Sequence, residues 1–373
     1  MGRLKRLPVT LHVAVLLILV GPGSDLIGQE ITIPGDLASC TTCRIELTPV
    51  VILDGRSADR VNEPFSLARD SRGWWYMSSM LDATAVLRFD SVGRFRGAIG
   101  RGGQGPGEYS FIRFLQVTEG DSLLVFDIGN RRMTTVTPTL DVVATRAIAL
   151  GASQGLLRLP DGSMVTAEVI RSPERAGFPL HRIDTEGVLE RSFGAENPEY
   201  RRSDDESLWR SLSNLHDGRF WSANLTEYRL DQWSVAGEHV RTLRRDVPWF
   251  RPHRDPGIDV EHPERPPRPG IMDVRIDPSG ALWVNVRVAD QEFHEGLGDI
   301  RGIYDRPMTG ITDYVRYYDS RIEILDPQSG ALIWFQTLDQ PLRFVAGGDY
   351  AYWYEEDANG VPRIPIVKVM LRR

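Results

Sequence analysis

Short apolar strands separated by tight polar turns recur along the chain. Each turn contains Gly, usually beside Asp or Ser, and the strand after it is rich in aromatic and β-branched residues. This pattern predicts a β-hairpin. Six such hairpins occur, in the segments ARDSRGWWYMS, VTEGDSLLVFD, RLPDGSMVTAE, NLHDGRFWSAN, IDPSGALWVNV and VAGGDYAYWYE.

A second turn between alternating strands follows most of these hairpins, as in LRFDSVGRFRGAIG and HRIDTEGVLERSFG. Together, one hairpin and the turn after it predict a four-stranded antiparallel unit. Several such units in succession are typical of a β-propeller, whose radial closure hides the edges of its sheets. We therefore predict an all-β chain that folds as one six-bladed β-propeller over residues 45–373.

The two ends of this domain are each incomplete. The last hairpin is followed by one more strand before the chain ends, and RIELTPVVIL near the start is a strand without a unit. Pairing the two removes exposed strand edges that would favour aggregation. We expect residues 45–53 to pair with residues 364–371 and to complete the sixth blade.

The first 28 residues predict a secretory signal peptide. They combine a basic start, a short apolar run from Val9 to Val20, and a small, polar segment. The apolar run is well short of the roughly 20 residues that a membrane span needs. We expect a secreted or periplasmic, monomeric protein. The formal net charge of -7 argues against a nucleic-acid partner.

Residues 29–44 form a separate N-terminal segment in this prediction, and they contain both cysteines of the chain, Cys40 and Cys43. The C-x-x-C spacing lacks the His of a haem attachment site and the second pair of ligands of a zinc site. We predict a local disulfide, with a reactive thiol pair as the alternative. Cys40 lies too far beyond the apolar run for lipid anchoring to be expected.

The segment IGRGGQGPGEYSF contains Gly100, Gly102 and Gly105 in the spacing of a dinucleotide-binding loop. Such a loop must open a helix, whose N-terminus then holds the phosphates. Here Pro106 and Gly107 follow, and a strand-like segment comes next. The context predicts a loop between two blades.

One blade carries a more specific motif. The segment LLVFDIGNRRMTTV resembles the NHL repeat through Asp127, Asn130, Arg132 and Met133, and the glycine-rich loop is similar to the inter-blade loop of bacterial NHL-like six-bladed propellers of the cell envelope. Propellers of this kind include metal-dependent lactonases and lyases, with ligands on inner strands. That resemblance implies a possible ligand set for which the nearest candidates here are Glu168, Asn224 and Asn285.

Two long insertions, residues 247–270 and 288–314, fall in connections that emerge on one face of a propeller. Residues 101–110 and the turn at 128–132 open on the same face. We predict that this face binds an anionic or carboxylate-bearing ligand, because guanidinium groups bind carboxylates bidentately. The candidate ligand-binding residues are Arg101, Tyr109, Arg131, Arg132, His253 and His262.

No cofactor follows firmly from the sequence. A divalent metal, Ca²⁺ or Zn²⁺, stays open because the first insertion holds two His and several carboxylates. The predicted function is a non-catalytic binding or interaction module whose partner is a protein, a glycan or a small molecule. The alternative is a metal-dependent lactonase- or lyase-like enzyme that acts at the central channel.

Overall fold

A computed structural model describes residues 28–55, 61–151, 153–194, 201, 205, 207–254, 262–301 and 307–373. These residues form six antiparallel sheets of four strands each, arranged as the blades of a ring. The prediction of an all-β six-bladed propeller is confirmed. No helix in the described part of the chain has the length and apolar character needed to span a membrane.

The first three blades follow the chain without crossovers, and each runs from its inner strand to its outer strand. Blade 1 consists of Pro64–Arg69, Trp75–Ser79, Val86–Phe89 and Phe95–Ile99. Blade 2 consists of Ile112–Val117, Leu123–Asp127, Arg132–Val136 and Val142–Ala147. Blade 3 consists of Gly155–Arg158, Met164–Ala167, Leu180–Ile183 and Leu189–Phe193.

The last three blades follow the same order, but the start of the chain contributes to two of them. Blade 4 consists of Arg210–Leu212, Arg219–Asn224, Arg229–Ser234 and His239–Asp246, with Gln29–Pro34 as a fifth strand. Blade 5 consists of Gly270–Ile276, Leu282–Ala289, Tyr318–Leu325 and Leu332–Leu338. Blade 6 consists of Arg343–Phe344, Tyr350–Tyr352, Pro362–Arg372 and Arg44–Asp54.

Smaller elements lie in the connections. Two short strand pairs are Arg101–Gly102 with Glu108–Tyr109, and Leu297–Arg301 with Pro307–Ile311. Glu355–Glu356 pairs with the long strand of blade 6. The insertion in blade 5 also contains the 3₁₀ helix Phe293–Gly296 and the α-helix Tyr314–Tyr317.

Asp and Gly define the recurring turns. In four of them the Asp carboxylate accepts the backbone N–H groups two and four residues later, and the Gly three positions on has a positive φ between 73° and 88°. Such side-chain hydrogen bonds fix a tight turn, and Gly adopts positive φ without a steric penalty. These Asp residues are Asp90, Asp184, Asp277 and Asp357.

The hydrophobic core is divided among the interfaces between neighbouring blades. Each of six buried clusters combines residues of two adjacent blades, and Trp75, Trp221 and Trp283 are fully buried in three of them. Aromatic side chains of this size contribute most of the apolar area buried at such an interface. Neighbouring blades are therefore held together by this packing, and also by side-chain hydrogen bonds such as those between Asn214 and the backbone of Ile276.

The N-terminal residues run along the outer edges of three blades. Gln29–Pro34 pairs in parallel with the outer strand of blade 4, and the N–H groups of Ser39 and Cys40 donate to carbonyls in the outer strand of blade 5. Arg44–Asp54 is then the outer strand of blade 6, with Ile45 opposite Leu371 and Leu53 opposite Ile364. The predicted closure is confirmed. We call residues 28–43 the strap.

A disulfide joins Cys40 and Cys43 within this strap, and Cys43 is buried. The predicted signal peptide lies outside the described residues, apart from Gly28, whose N–H donates to Val240 in blade 4.

Candidate functional site

Two kinds of connection emerge on the same face of the ring, which we call the upper face: those between blades and those between the second and third strands of a blade. The glycine-rich segment lies there, between the outer strand of blade 1 and the inner strand of blade 2. Gly100 has φ +83°, and a Cβ atom at this position would lie 2.2 Å from the Tyr109 ring. These glycines shape an inter-blade loop.

Three residues of blade 2, Asp127, Asn130 and Arg132, hold this loop in place. The Asp127 carboxylate is buried and accepts the backbone N–H groups of Ser110 and Phe111 as well as the Asn130 side chain. Arg132 donates to the carbonyls of Gln104 (2.7 Å), Gly105 (3.0 Å) and Glu108. The Arg132 N–H groups that form these hydrogen bonds therefore stabilise the loop.

Three further candidate residues lie around the same loop. Arg101 pairs with Glu108 at 2.8 Å and is mostly exposed, whereas Tyr109 is fully buried. Arg131 is exposed, with φ +50° in the turn of blade 2. Burial raises the pKa of the nearby Glu168 carboxyl, and Arg131 partly offsets that effect. Of this group, Arg101 and Arg131 present charge to solvent.

The two histidine candidates lie elsewhere, in the connection between blades 4 and 5. His253 Nε2 lies 2.6 Å from the Pro269 carbonyl, and His262 Nδ1 lies 3.2 Å from the Glu264 carboxylate. In a ring of six blades this connection is opposite the one between blades 1 and 2. The structure thus places the six predicted residues in two separate groups, and their role in ligand binding stays a prediction.

A different set of charged residues surrounds the upper mouth of the central channel. Four of the inner strands bring one charged residue each to this mouth, at or near the start of the strand. These residues are Glu63 before blade 1, Arg113 in blade 2, Asp273 in blade 5 and Arg343 in blade 6. The inner strands all run away from the upper face, so their first residues meet there.

Arg343 and Asp273 form a two-point ion pair across blades 5 and 6. Arg343 Nε lies 2.9 Å from Asp273 Oδ2, and Nη2 lies 3.1 Å from Oδ1. Asp273 also accepts from the Asn285 side chain and the Phe344 N–H, both at 3.2 Å. Burial opposes the charge of Arg343, but the Asp273 carboxylate outweighs it and raises the pKa of the guanidinium. Asp273 therefore stabilises the charged form of Arg343.

Beside this pair, an aromatic cleft with a cavity volume of about 50 Å³ lies on the upper face between blades 5, 6 and 1. Its apolar lining comes from Pro64, Met272, Pro341 and Leu342. Its aromatic and charged lining is Tyr314, Tyr318, Tyr352, Trp353, Tyr354, Glu63, Arg287 and Arg343. Arg287 stacks over the Tyr318 ring at 4.2 Å. Pockets with an apolar body and a few charged groups are typical of small-ligand sites.

The cleft favours neutral forms of its acidic groups. Burial raises the pKa of the Glu63 carboxyl, against the opposing effect of Arg343 and Arg287. Burial also raises the pKa of Tyr352 to about 12 and raises that of Tyr314. The phenol groups are therefore hydrogen-bond donors at neutral pH, so the cleft offers donors and cations to a ligand.

The channel continues below the ion pair. Residues from all six inner strands line a lower space with a cavity volume of about 440 Å³, including Arg69, Arg158 and Arg275. Asp273 borders this lower space and Arg343 borders the cleft, so the ion pair stands between the two.

The three candidates for a catalytic metal set differ in how far their ligating atoms are used by the fold. Asn224 Oδ1 accepts the Thr226 N–H, whereas the Asn285 side chain donates to the Leu342 carbonyl at 2.6 Å and its buried Oδ1 has no hydrogen-bond partner among the described residues. Glu168 accepts the Gly151 N–H at 2.7 Å. Within the residues that the structure describes, no group of three or more His, Cys, Asp and Glu side chains is placed to hold a metal ion. Asp255, Asp259 and Glu261 of the first insertion lie outside the described residues.

The charged residues at the mouth were missed at the sequence level, although a signal for them exists. Arg113, Asp273 and Arg343 are charged residues among the apolar residues of an inner strand, in the segments FIRFLQV, GIMDVRI and PLRFVAG, and the second segment contains Arg275 as well.

Two solved structures are similar to this chain. A member of the DUF4221 family from Bacteroides vulgatus has 10% sequence identity and a TM-score of 0.61, covering 88% of this chain and 99% of that one. A protein from Bacteroides fragilis, described as a candidate exported protein, has 10% identity and a TM-score of 0.54, covering 92% and 100%. Similarity at this level of identity supports the fold alone. The sequence matches no protein-family model and no curated protein.

Proposed function

We propose that this chain is an extracytoplasmic, NHL-like propeller that binds a small ligand, without catalysis, in the aromatic cleft of the upper face. The observation that carries the proposal is the convergence of five aromatic side chains from blades 5 and 6 on one opening, beside Arg287 and Arg343. Aromatic side chains offer large contact areas at a low cost in conformational entropy.

The construction of the cleft favours a preformed site. Tyr352 ends a strand of blade 6 and Tyr318 begins a strand of blade 5, so both are fixed by sheet hydrogen bonds. Trp353 is oriented by a 2.7 Å hydrogen bond from its Nε1 to Glu355. A rigid scaffold that presents side chains in place reduces the entropy lost when a ligand binds.

Three observations support an extracytoplasmic location. Residues 1–28 have the charge and hydropathy pattern of a secretory signal peptide, and one of the similar structures belongs to a protein described as a candidate exported protein. The disulfide between Cys40 and Cys43 fits an oxidising compartment.

The proposal is tested by screening a library of small sugars, acids and aromatic compounds against the mature protein with ligand-observed NMR. Hits are then titrated against Trp353→Ala, which removes one wall of the cleft. The matched control is Trp74→Ala, because Trp74 lies in the turn of blade 1 on the opposite face. We expect hits whose affinity falls in the first variant and holds in the second. A library without hits, or hits that bind both variants equally, would contradict the proposal.

A further inference from the structure

Three arginines from alternate blades border the lower space of the central channel. Arg69 and Arg158 are the last residues of the inner strands of blades 1 and 3, and Arg275 is the last but one in the inner strand of blade 5. Because the inner strands all run away from the upper face, their ends meet at the lower end of the channel. Blades 1, 3 and 5 alternate in the ring, so the three side chains border this space from three sides.

Little negative charge opposes these arginines within the lower space. The inner strands of blades 2, 4 and 6 end in neutral residues that also line it, namely Val117, Leu212 and Phe344. Among the described residues, its lining contains two carboxylates, Asp273 and Glu119. Asp273 is bound to Arg343 at the upper end. At the lower end, the three arginines therefore face the exposed carboxylate of Glu119.

Two of the three guanidinium groups are held without a carboxylate. Arg69 lies over the rings of Trp75 at 5.6 Å and Tyr350 at 5.2 Å, and such contacts orient a guanidinium without using its N–H groups. Arg158 is exposed at the end of its strand. Within the part of the chain that the structure describes, neither residue forms an ion pair. Their N–H groups can therefore donate to a ligand in the lower space.

The third arginine is a buried positive charge in the wall. Arg275 Nη1 donates to the Gly348 carbonyl and the Asp349 carboxylate, both at 3.2 Å, and Nη2 donates to the Val369 carbonyl at 3.3 Å. Its Nε is buried and has no hydrogen-bond partner among the described residues. Burial lowers the pKa of the guanidinium, and Asp349 only partly offsets this effect. The charge of Arg275 is therefore incompletely compensated by the fold.

We propose that the lower space binds a small oxyanion with two or more negative charges, a phosphate or a polycarboxylate, whose oxygens accept from Arg69 and Arg158 beside the buried charge of Arg275. The planar guanidinium fork matches the oxygens of either group. Cations that line one concave space also reinforce one another's field and concentrate anions there. This site goes beyond the proposed function, because the pair of Asp273 and Arg343 separates the lower space from the aromatic cleft.

The size and lining of the lower space favour a compact, multiply charged ligand. Its volume of about 440 Å³ lies within the range of about 300–1,000 Å³ that is usual for small-molecule sites. Three cations around one space match two or three negative charges better than one. Gln116 and Ser211 also line the space and can add neutral hydrogen bonds to oxyanion oxygens.

The proposal is tested by calorimetric titration of the mature protein with citrate, inorganic phosphate and acetate at neutral pH and constant ionic strength. The test variant is Arg69→Gln/Arg158→Gln. The control is Arg94→Gln, because Arg94 is an exposed arginine between the third and outer strands of blade 1, away from the channel. We expect citrate or phosphate to bind the wild type. The double variant should weaken that binding at least about tenfold, as loss of charge-assisted hydrogen bonds does, and the control should not.

A variant of opposite effect guards against a loss of binding through misfolding. Glu119→Gln removes the carboxylate at the lower end of the space, so the same anion should bind more tightly than to the wild type. Added NaCl should weaken binding, because the exposed arginines are screened. The bound anion should also raise the melting temperature of the wild type more than that of the double variant, because it binds only the folded state.

The comparison of probes identifies the head group. Tighter binding of citrate supports a polycarboxylate ligand, and tighter binding of phosphate supports a phosphate. The proposal is wrong if neither anion binds, if acetate binds as tightly as both, or if the double variant and Arg94→Gln bind equally. Trp353→Ala should leave anion binding unchanged, and a loss of binding in that variant would place the anion in the aromatic cleft and refute a site in the lower space.

Discussion

Removal of the Glu323 carboxylate should destabilise the propeller more than any single change at its surface. Glu323 is fully buried between blades 4 and 5 and accepts from Arg245 at 3.0 and 3.1 Å, from Arg321 at 2.9 Å and from the Tyr228 hydroxyl at 2.7 Å. Asp36 of the strap completes the network, 2.6 Å from Arg245 and 3.1 Å from Arg321. Two cations therefore face two carboxylates.

The variant Glu323→Gln keeps the shape and leaves one charge without a counterion. Burial opposes the charge of Arg245, and Glu323 restores it by raising the pKa of Arg245. Breaking a buried pair costs about 3–5 kcal/mol. With an unfolding entropy of about 2.1 cal/mol/K per residue over 373 residues, that loss lowers the melting temperature by about 4–6 °C.

Thermal and urea denaturation, followed by circular dichroism, measure the effect. The control is Glu295→Gln, which breaks an exposed pair with Arg316 and should cost no more than about 1 kcal/mol. The double variant Glu323→Leu/Arg245→Met should recover part of the stability lost in Glu323→Gln, because neither position then buries a charge. Equal stability of Glu323→Gln and Glu295→Gln would refute the reasoning.

Three further predictions concern titration and the chain termini. Burial, aided by Asp290, raises the pKa of Asp319 to about 7. The pKa of an Asp in the unfolded chain is about 4, so ionisation of Asp319 destabilises the folded protein. This loss of stability grows as the pH rises from about 4 to about 7 and is complete above about 7. Asp319→Asn should therefore raise the urea midpoint of unfolding near pH 8 and leave it nearly unchanged near pH 4. A larger increase near pH 4 than near pH 8 would contradict this prediction. Deletion of residues 1–53 should abolish cooperative thermal unfolding, because it removes most of the outer strand of blade 6; an unchanged melt would disprove the closure. The double variant Cys40→Ser/Cys43→Ser should fold with nearly wild-type stability, because so short a loop stabilises little, and thiol titration of unreduced wild type should detect no free thiol.

The fold was predictable because its turns are determined by residues that are close together in the sequence. Each hairpin is specified by an Asp and a Gly a few residues apart, and these fix the turn by side-chain hydrogen bonds and positive φ. Closure followed from one further physical argument, that unpaired strand edges are costly. The parallel pairing of Gln29–Pro34 with blade 4 was not predictable, because its register joins residues more than 200 positions apart and no turn connects them.

The site was harder to predict because it depends on which strand ends meet in space. In the sequence, Arg132 stands out as part of a motif, and the long insertions stand out because they depart from the four-stranded repeat. Arg132 holds a loop, and its role in ligand binding stays a prediction. The second insertion does contribute, through Tyr314 at the rim of the cleft. Arg113 and Arg343 are single residues in unremarkable strands, and only the ring brings them together.

Arg245 and Arg113 show how differently the same residue type is used in this fold. Arg245 is fully buried, and Glu323 and Asp36 surround it with carboxylates, so that the strap and two blades are joined by a closed network. Arg113 is half-buried, and it contacts the Ser153 carbonyl, the Gln154 side chain and the rings of Phe65 and Phe114. Guanidinium groups in this fold are therefore held by carboxylates at one position and by neutral and aromatic partners at another.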